Sequence, residues 1–324
     1  MDERVLQRDE QPRLYVYELR VNEHRQCGFV GLAAIDDYEN GIVRKHELTR
    51  PDKEDDRVRH MELLGAQSGT VFLAHRDSAS LSEITQSIVE TTPDVDFVAE
   101  DGVAHRVWTV SDSKTIDAIV RGFDEAGPIY VADGHHRSAA AARVSQSASD
   151  PEPGFLSVSF PASEVRILAY NRYVKDLNDL SSDEFLSRVG ERFDVQPGRA
   201  ASTRPRQFEM RLGTQWHTLQ LRGAAPSSRI EGLDVALLQN LLLKPVLGID
   251  DPRTSDRIAF IGGIRGYEAL ESRAASGGVA FALHPTSMED LLAIADEGGV
   301  MPPKSTWFEP KLRDGLFTHL IETS

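Results

Sequence analysis

An α/β to α+β fold is what this sequence predicts, on three observations. Short apolar runs alternate with amphipathic helical stretches through the first half, a hairpin-like alternation follows after residue 150, and the 324 residues are 40% hydrophobic, enough for a sizeable core. In the first half, "CGFVGLAAI" and "TVFLAH" read as buried strands, and "LSEITQSIVETT" and "SDSKTIDAIVRGF" as amphipathic helices. Asp112 or Ser111 is placed to cap the second of these helices, and Gly127-Pro128 closes the connection after it. "IYVA" is then a short strand that runs directly into "DGHHR" and an alanine-rich helix.

The polar stretch "SASDPEPG" reads as a loop, and the expected division places one lobe over 1–150 and a second α+β lobe over 151–324. Within the second lobe, "FLSVSF" and "VRILAYNRYV" predict two strands and "SSDEFLSRVGERF" a helix. The alternation in "RQFEMRL" and "QWHTLQLR" predicts a hairpin across Gly213-Thr214. "LDVALLQNLLLKPVLGI" predicts a buried helix stopped near Pro245, and "RIAFIGG" and "GVAFALHP" predict core strands. "SMEDLLAIADEGG", capped by Ser287 or Thr286, leads into "VMPPKSTWFEPKLRDGL". No internal repeat and no low-complexity tail interrupts the pattern.

Composition removes several classes. A formal charge of -15 and a pI near 5.1 oppose binding to nucleic acid or an anionic membrane. The single cysteine, Cys27, excludes an intrachain disulfide, and no apolar run approaches the roughly 20 residues of a membrane span. The first residues, "MDERVLQRDEQPRLYVY", lack a basic segment followed by an apolar one, so the expectation is a cytoplasmic protein. Oligomeric state has no signature in the sequence.

The turn Asp133-Gly134-His135-His136-Arg137 carries the densest chemistry. The first N–H groups of a helix lack intrahelical acceptors and sit at the positive end of its dipole, so a strand-Gly-helix junction cradles anions. Gly134 permits close approach, Arg137 can grip a phosphate with its planar fork, and His135 and His136 add donors. Asp133 beside such a turn has work only if it orients a histidine, binds magnesium or accepts a proton. A plainer reading has Asp133 capping the helix and the histidines partly exposed.

Other templates fail: there is no G-x-x-x-x-G-K-[ST] loop, no G-x-S-x-G elbow and no H-E-x-x-H helix. Gly262-Gly263 reads as a turn rather than a dinucleotide site. A zinc site using His135 or His136 with the distant His46, His60 or His105 is conceivable, but no ligand spacing supports it.

Two further stretches bear on function. Most of "RKHELTRPDKEDDRVRH" reads as a solvated helix, but His46-Glu47 follows the strand "GIVRK", where a carboxylate can serve as general base. In "MPPKSTWFEPKL", Lys304, Ser305, Thr306 and Lys311 stand among prolines and aromatics. That segment suits either a packed crossing or a loop that closes over a phosphate or carboxylate.

At "ADGHHRSAAA" the chain resembles the ParB/sulfiredoxin-like superfamily, whose members carry a G-x-x-R phosphate-binding turn at a helix start. "HELTRPDKEDDR", "FLAHRD", "ADGHHR" and "MPPKSTWFEPKL" occur in this order in a widespread family once described as SpoOJ/ParA/ParB/RepB-like, covering nearly the whole chain. The resemblance implies a ParB-like nucleotide-binding lobe, with free-serine kinases as the nearest enzymatic relatives by motif. It implies ATP or ADP with Mg²⁺ and phosphates held by Gly134, His135, His136 and Arg137; a closing loop of Lys304, Ser305 and Thr306 would add to that nucleotide site. The catalytic set would be Glu47, Asp133, His135 and His136, with Glu47 taking the proton of the serine hydroxyl and Asp133 the alternative acid. A nucleotide-sensing module without phosphoryl transfer, or a phosphatase of small phosphate esters, would use the same turn. Members of that family begin with a further segment bearing a Pro-Pro-Tyr-Asp-like motif, so the start of this chain is expected to be truncated or misassigned.

Overall fold

The computed structural model describes residues 6–147, 153–200, 203–224 and 226–321. They divide into two compact units, one of 1–165 with 310–324 and one of 166–309.

The first unit is built on an eight-stranded mixed sheet. Its strands are β1 (Leu14–Val21), β2 (His24–Ala34), β3 (Val43–Arg44), β5 (Val71–His75), β6 (Val95–Val98), β7 (Ala104–Val110), β8 (Ile129–Asp133) and β9 (Gly154–Pro161), in the order β3-β8-β5-β9-β2-β1-β7-β6. Its helices are α1 (Ile35–Glu39), α2 (Pro51–Leu64), α3 (Ala79–Val89), α4 (Ser113–Ala126) and α5 (His135–Ser147). Pro51 opens α2, where its missing N–H is an orphan in any case, and Gly65 ends it in the left-handed region at φ 58°. The Asp112 carboxylate accepts from the Thr115 N–H to cap α4, as the sequence predicts, and Ser78 caps α3 in the same way.

Two apolar clusters hold these helices to the sheet. Leu81 of α3 and Ile119 of α4 pack with Val16, Cys27, Phe29 and Trp108 of β1, β2 and β7. Gly122 lets α3 and α4 approach closely, because a Cβ there would lie 2.6 Å from Leu81 Cδ2. At the other end, Ala140, Ala141, Ala142 and Val144 of α5 pack with Val43, Val71, Val131 and Phe155. The small side chains of "SAAAA" bring the α5 backbone close to the strands.

"FLSVSF" belongs to this first unit and not to a second lobe beginning at 151. As β9 it pairs antiparallel with β2 and parallel with β5, so cutting before it would split the sheet. Residues after 309 also return here: His319-Leu320 pairs with the short strand β4 (Ala66–Gln67), and the Ile321 N–H donates to the Gly65 carbonyl. Long-range strand pairing overrides the polar stretch that suggested a boundary, most of which, 148–152, lies outside the described residues.

The second unit holds an antiparallel six-stranded sheet ordered β12-β14-β13-β16-β11-β15 and a two-stranded pair β10-β17. The strands are β10 (Arg166–Leu168), β11 (Tyr170–Val174), β12 (Phe193–Pro197), β13 (Gln207–Leu212), β14 (Gln215–Leu221), β15 (Ile258–Gly262), β16 (Val279–Ala282) and β17 (Trp307–Glu309). Its helices are α6 (Ser182–Val189), α7 (Arg229–Gly232), α8 (Asp234–Leu238), α9 (Gly266–Ala275) and α10 (Met288–Asp296). A capping box of Ser181 and Glu184 starts α6, and the Ser287 hydroxyl caps α10. The β13-β14 hairpin turns at Gly213-Thr214.

Two predicted elements differ. "VRILAYNRYV" is not one strand: it breaks at Ala169, whose carbonyl takes the Gly263 N–H, and its halves join different sheets. The helix predicted over "LDVALLQNLLLKPVLGI" is α-helical only as α8 and continues as a π-turn over Gln239–Leu243, with the Lys244 N–H reaching back to the Gln239 carbonyl. Pro245 lacks the N–H that would extend a regular ladder.

His75 gives the first unit an acid sensitivity. It is 2% exposed, its Nδ1 lies 2.8 Å from the Ser159 hydroxyl of β9, and its ring meets Phe123 edge-on at 5.1 Å. Burial pushes its pKa down to about 4. An unfolded imidazole titrates near 6.5, so the unfolded chain takes up the proton first. The stability this contributes is fully present above about pH 6.5 and is lost as pH falls through about 4, roughly 3 kcal/mol in all. Urea midpoints measured from pH 7 to 4 should therefore fall. His75→Gln, which keeps a partner for Ser159, should flatten that fall; an unchanged acid limb would assign it to other groups.

Candidate functional site

The site follows from one strand pairing. β3 and β8 are parallel neighbours, with Val43 opposite Ile129 and Arg44 opposite Tyr130. Parallel strands put their carboxyl ends on the same side of a sheet, where α/β proteins place ligands. His46 and Glu47 leave the end of β3, and Gly134 and His135 leave the end of β8. The segments, almost ninety residues apart in sequence, therefore meet.

At the end of β8, Gly134 takes φ 105°, in the region that favours glycine, and its carbonyl accepts the Ser138 N–H at 3.0 Å to begin α5. His135, His136 and Arg137 then occupy the first turn of a 13-residue helix. The His46 and His135 rings stack edge to face at 4.5 Å and 87°. One ligating atom each of His46, Glu47 and His135 lie within 4.8 Å of one another. His136 ties the same two segments from outside, its Nε2 accepting the Arg50 N–H at 3.1 Å.

His46 is 2% and His135 4% exposed. Neither ring nitrogen of His46, nor Nε2 of His135, has a hydrogen-bond partner of normal geometry. Burial pushes the His46 pKa down to about 4, outweighing the nearby Val131 carbonyl and Asp133, both of which favour its protonated form. Burial, followed by the neighbouring His46, His136 and Lys45, holds His135 well below the usual imidazole range. Both rings are neutral at physiological pH.

Asp133 is a salt-bridge partner rather than a helix cap. Its Oδ2 accepts from Lys311 Nζ at 3.0 Å. Burial favours its neutral form, but Lys311, Arg137 and the Gly134 N–H together hold the carboxyl below the usual carboxylate range. Arg137 points its guanidinium at Asp314, Nη1 to Oδ1 3.5 Å. It lies between two glycines: a Cβ on Gly69 would sit 3.2 Å from its Cδ and Nη1, and one on Gly134 3.1 Å from its Nε. Room for the arginine is thus made by absent side chains.

Lys304, Ser305 and Thr306 fold into the second unit. The buried Ser305 hydroxyl donates to the Pro302 carbonyl at 2.5 Å, and its own carbonyl accepts from Thr286 at 3.0 Å. Lys304, at φ 58°, places its ammonium 5.5 Å from the Tyr170 ring centre, and its carbonyl accepts from Arg172 at 3.0 Å. His60 is exposed on α2, and His105 in β7 is engaged with the Tyr17 hydroxyl at 2.7 Å, so neither joins the cluster. The sequence offers His46 only as a conceivable zinc ligand without supporting spacing, and it carries no local signal for Gly69, Asp314 or the pairing of Lys311 with Asp133.

Fold and site together define a mixed α/β protein with a strand-glycine-helix turn, rimmed by a carboxyl and two neutral histidines, at the carboxyl ends of two parallel strands. The chain belongs to the family described as "Protein of unknown function (DUF1015)", which matches residues 1–236. No curated protein matches it significantly. Among solved structures it is similar to SbnI with a C-terminal truncation from Staphylococcus aureus, at 11% identity over 88% of this chain and 84% of that one, TM-score 0.47. It is also similar to free serine kinase in complex with AMP, at 14% identity over 86% of each chain, TM-score 0.44. A conserved hypothetical protein from Pyrococcus furiosus shows 12% identity over 88% of this chain and 93% of that one, TM-score 0.43.

Two outcomes test this geometry. Gly134→Ala must hold φ 105° with a side chain and should lose about 1–2 kcal/mol in urea unfolding, whereas Gly69→Ala, which crowds only the flexible end of Arg137, should stay within about 0.5 kcal/mol of wild type. Removing the cation with Lys311→Met should raise the Asp133 pKa, read by carboxyl-carbon NMR titration; an unmoved Asp133 would show that Lys311 does not set its charge.

Proposed function

We infer that the protein is a small-molecule kinase, with free L-serine as the substrate that its sequence resemblance favours and ATP or ADP as donor. The observation that carries this reading is the meeting of Glu47 with the Asp133–Arg137 turn. A phosphate cradle and a carboxyl able to take a proton stand side by side in one unit. The first N–H groups of α5 and the Arg137 guanidinium hold the transferring phosphates, with Gly134 admitting them to the backbone. Glu47 accepts the hydroxyl proton as the serine oxygen attacks the terminal phosphorus. The P–O bond to the nucleotide breaks, leaving phosphoserine and the shortened nucleotide.

The carboxyls of Glu47, Asp133 and Asp314 stand about the turn, and those of Asp133 and Asp314 already engage the cations Lys311 and Arg137. A polyanionic nucleotide therefore suits this turn best when accompanied by Mg²⁺, which neutralises phosphate charge. The Asp133 carboxylate, held ionised, is the hard oxygen donor placed to meet it. The ParB/sulfiredoxin-like kinship remains part of this proposal and rests on the G-x-x-R spacing alone. A phosphatase acting through a histidine nucleophile is disfavoured, because His135 is buried and the His136 Nε2 is engaged by the Arg50 N–H.

Protein incubated with Mg²⁺, L-serine and ATP or ADP should yield phosphoserine. Nucleotide binding without product for either donor would replace the kinase by a sensing module. Arg137→Ala should weaken nucleotide binding about tenfold or more, whereas Glu47→Gln should leave binding within about twofold and lower turnover by about 100-fold or more. Equal effects of both on binding and turnover would overturn the separate roles.

A further inference from the structure

The geometry points to a binding site for a divalent transition-metal ion of the zinc class, held by His46, Glu47 and His135 where the ends of β3 and β8 meet.

Buried imidazole nitrogens normally find a partner, since leaving one unsatisfied forfeits its hydration. Here Nε2 of His135 lies buried without a partner, the His46 ring nitrogens have none of normal geometry beside the Val131 carbonyl, and the two side chains are 2% and 4% exposed. Two such rings packed edge to face at 4.5 Å are not explained by apolar packing, which leaves their lone pairs idle. A carboxyl joins them: one ligating atom from each of the three residues falls within 4.8 Å of the others, the one group of this kind among the described residues. Ligands about 2.1 Å from a metal stand roughly 3–3.5 Å from one another in tetrahedral or octahedral arrangements. The trio therefore needs to close by at most about 1–2 Å, a rotation within reach of two side chains that follow β3 and one in the first turn of α5.

The donor set selects the ion. Two imidazoles and one carboxylate suit Zn²⁺, Co²⁺ or Mn²⁺, whereas Mg²⁺ prefers oxygen donors and keeps its waters. Three protein ligands leave at least one position open, beside Gly134 and the first turn of α5. This site is separate from any Mg²⁺ that travels with a nucleotide. It also competes with the kinase reading for one atom set, because a metal-bound Glu47 is a poorer proton acceptor. Metal uptake requires no phosphoryl transfer, so either reading can fail without the other.

The test is equilibrium dialysis of the metal-free full chain against Zn²⁺, with no nucleotide or serine present and Mg²⁺ in millimolar excess, followed by metal analysis. Co²⁺ substitution serves as a second readout through its visible absorption. Wild type should retain one ion per chain and give a Co²⁺ spectrum with nitrogen ligands. Losing an outer-shell partner of a metal ligand already costs 10–100-fold, so Glu47→Gln, His46→Gln and His135→Gln should each weaken binding by about 100-fold or more. Circular dichroism shows whether each variant is folded, and Glu47→Gln, only half-buried, keeps the test decisive if a histidine variant is not. Wild-type uptake no tighter than that of folded Glu47→Gln, or displacement of Zn²⁺ by the Mg²⁺ excess, overturns the site.

Discussion

The parallel pairing of β3 with β8 is the constraint on which the site depends. β3 is two residues long and forms the edge of the eight-stranded sheet, so it contributes little to the core by area. Its value lies in direction. An antiparallel β3 would send His46 and Glu47 to the opposite end of β8, away from the turn. What fixes the direction is packing around the short strand. Val43 is buried with Val131 and with Ala140, Ala141 and Ala142 of α5, so the helix that follows the turn also clamps the strand that delivers Glu47. Backbone contact reinforces it, the Ile129 N–H donating to the Ile42 carbonyl at 3.1 Å.

Electrostatics at the turn follow from the same convergence. Two imidazoles pressed together in a low-dielectric pocket cannot both carry charge, and burial removes the charge from each. The neighbouring carboxylate of Asp133 is too weakly placed to reverse this for His46. Its own field is largely taken by Lys311. The result is a sorting of charge by position: neutral donors in the interior, and ionised groups, Asp133 with Lys311 and Arg137 with Asp314, toward solvent. Such exposed pairs contribute little to stability. Their consequence is orientation, with the arginine fork held beside the helix start before any ligand arrives.

Much of the first unit was legible in the sequence because its signals are local. The "IYVA" to "DGHHR" junction shows a strand, a glycine and a helix within ten residues, and Asp112 announces its helix by position alone, as Ser287 does in the second unit. The approach of Glu47 to the turn was legible only as a guess, since nothing local says that β3 and β8 are parallel. His46 with His135 was only a conceivable pair of zinc ligands for the same reason: metal-ligand spacing rules describe residues on one hairpin or helix, not on two strands with several elements between them. The lobe boundary failed at β9 because a polar stretch resembles a linker whether or not the strand beyond it returns to the same sheet. Within "LDVALLQNLLLKPVLGI", hydrophobic periodicity marked a buried helix but does not distinguish an α-turn from a π-turn.

The part of the site least visible in sequence is supplied by the last segment. Lys311 and Asp314 stand 178 and 177 positions after the residues they pair with, and they lie beyond residue 236, where the family match ends. They are brought back by several weak attachments acting together. Phe317 packs against the Tyr15 and Tyr17 rings at 5.3 and 5.5 Å, the Gly315 N–H donates to the Ser68 carbonyl at 3.0 Å, and His319-Leu320 adds two residues of strand to β4. None is strong alone, and each spans a different point of the first unit, so the segment is located by their number rather than by any single contact. Without it, Asp133 would stand beside a neutral histidine pair with Arg137 as its nearest cation. The C-terminal segment therefore acts on the turn through charge allocation: it gives Asp133 a lysine through Lys311 and Arg137 a carboxylate through Asp314.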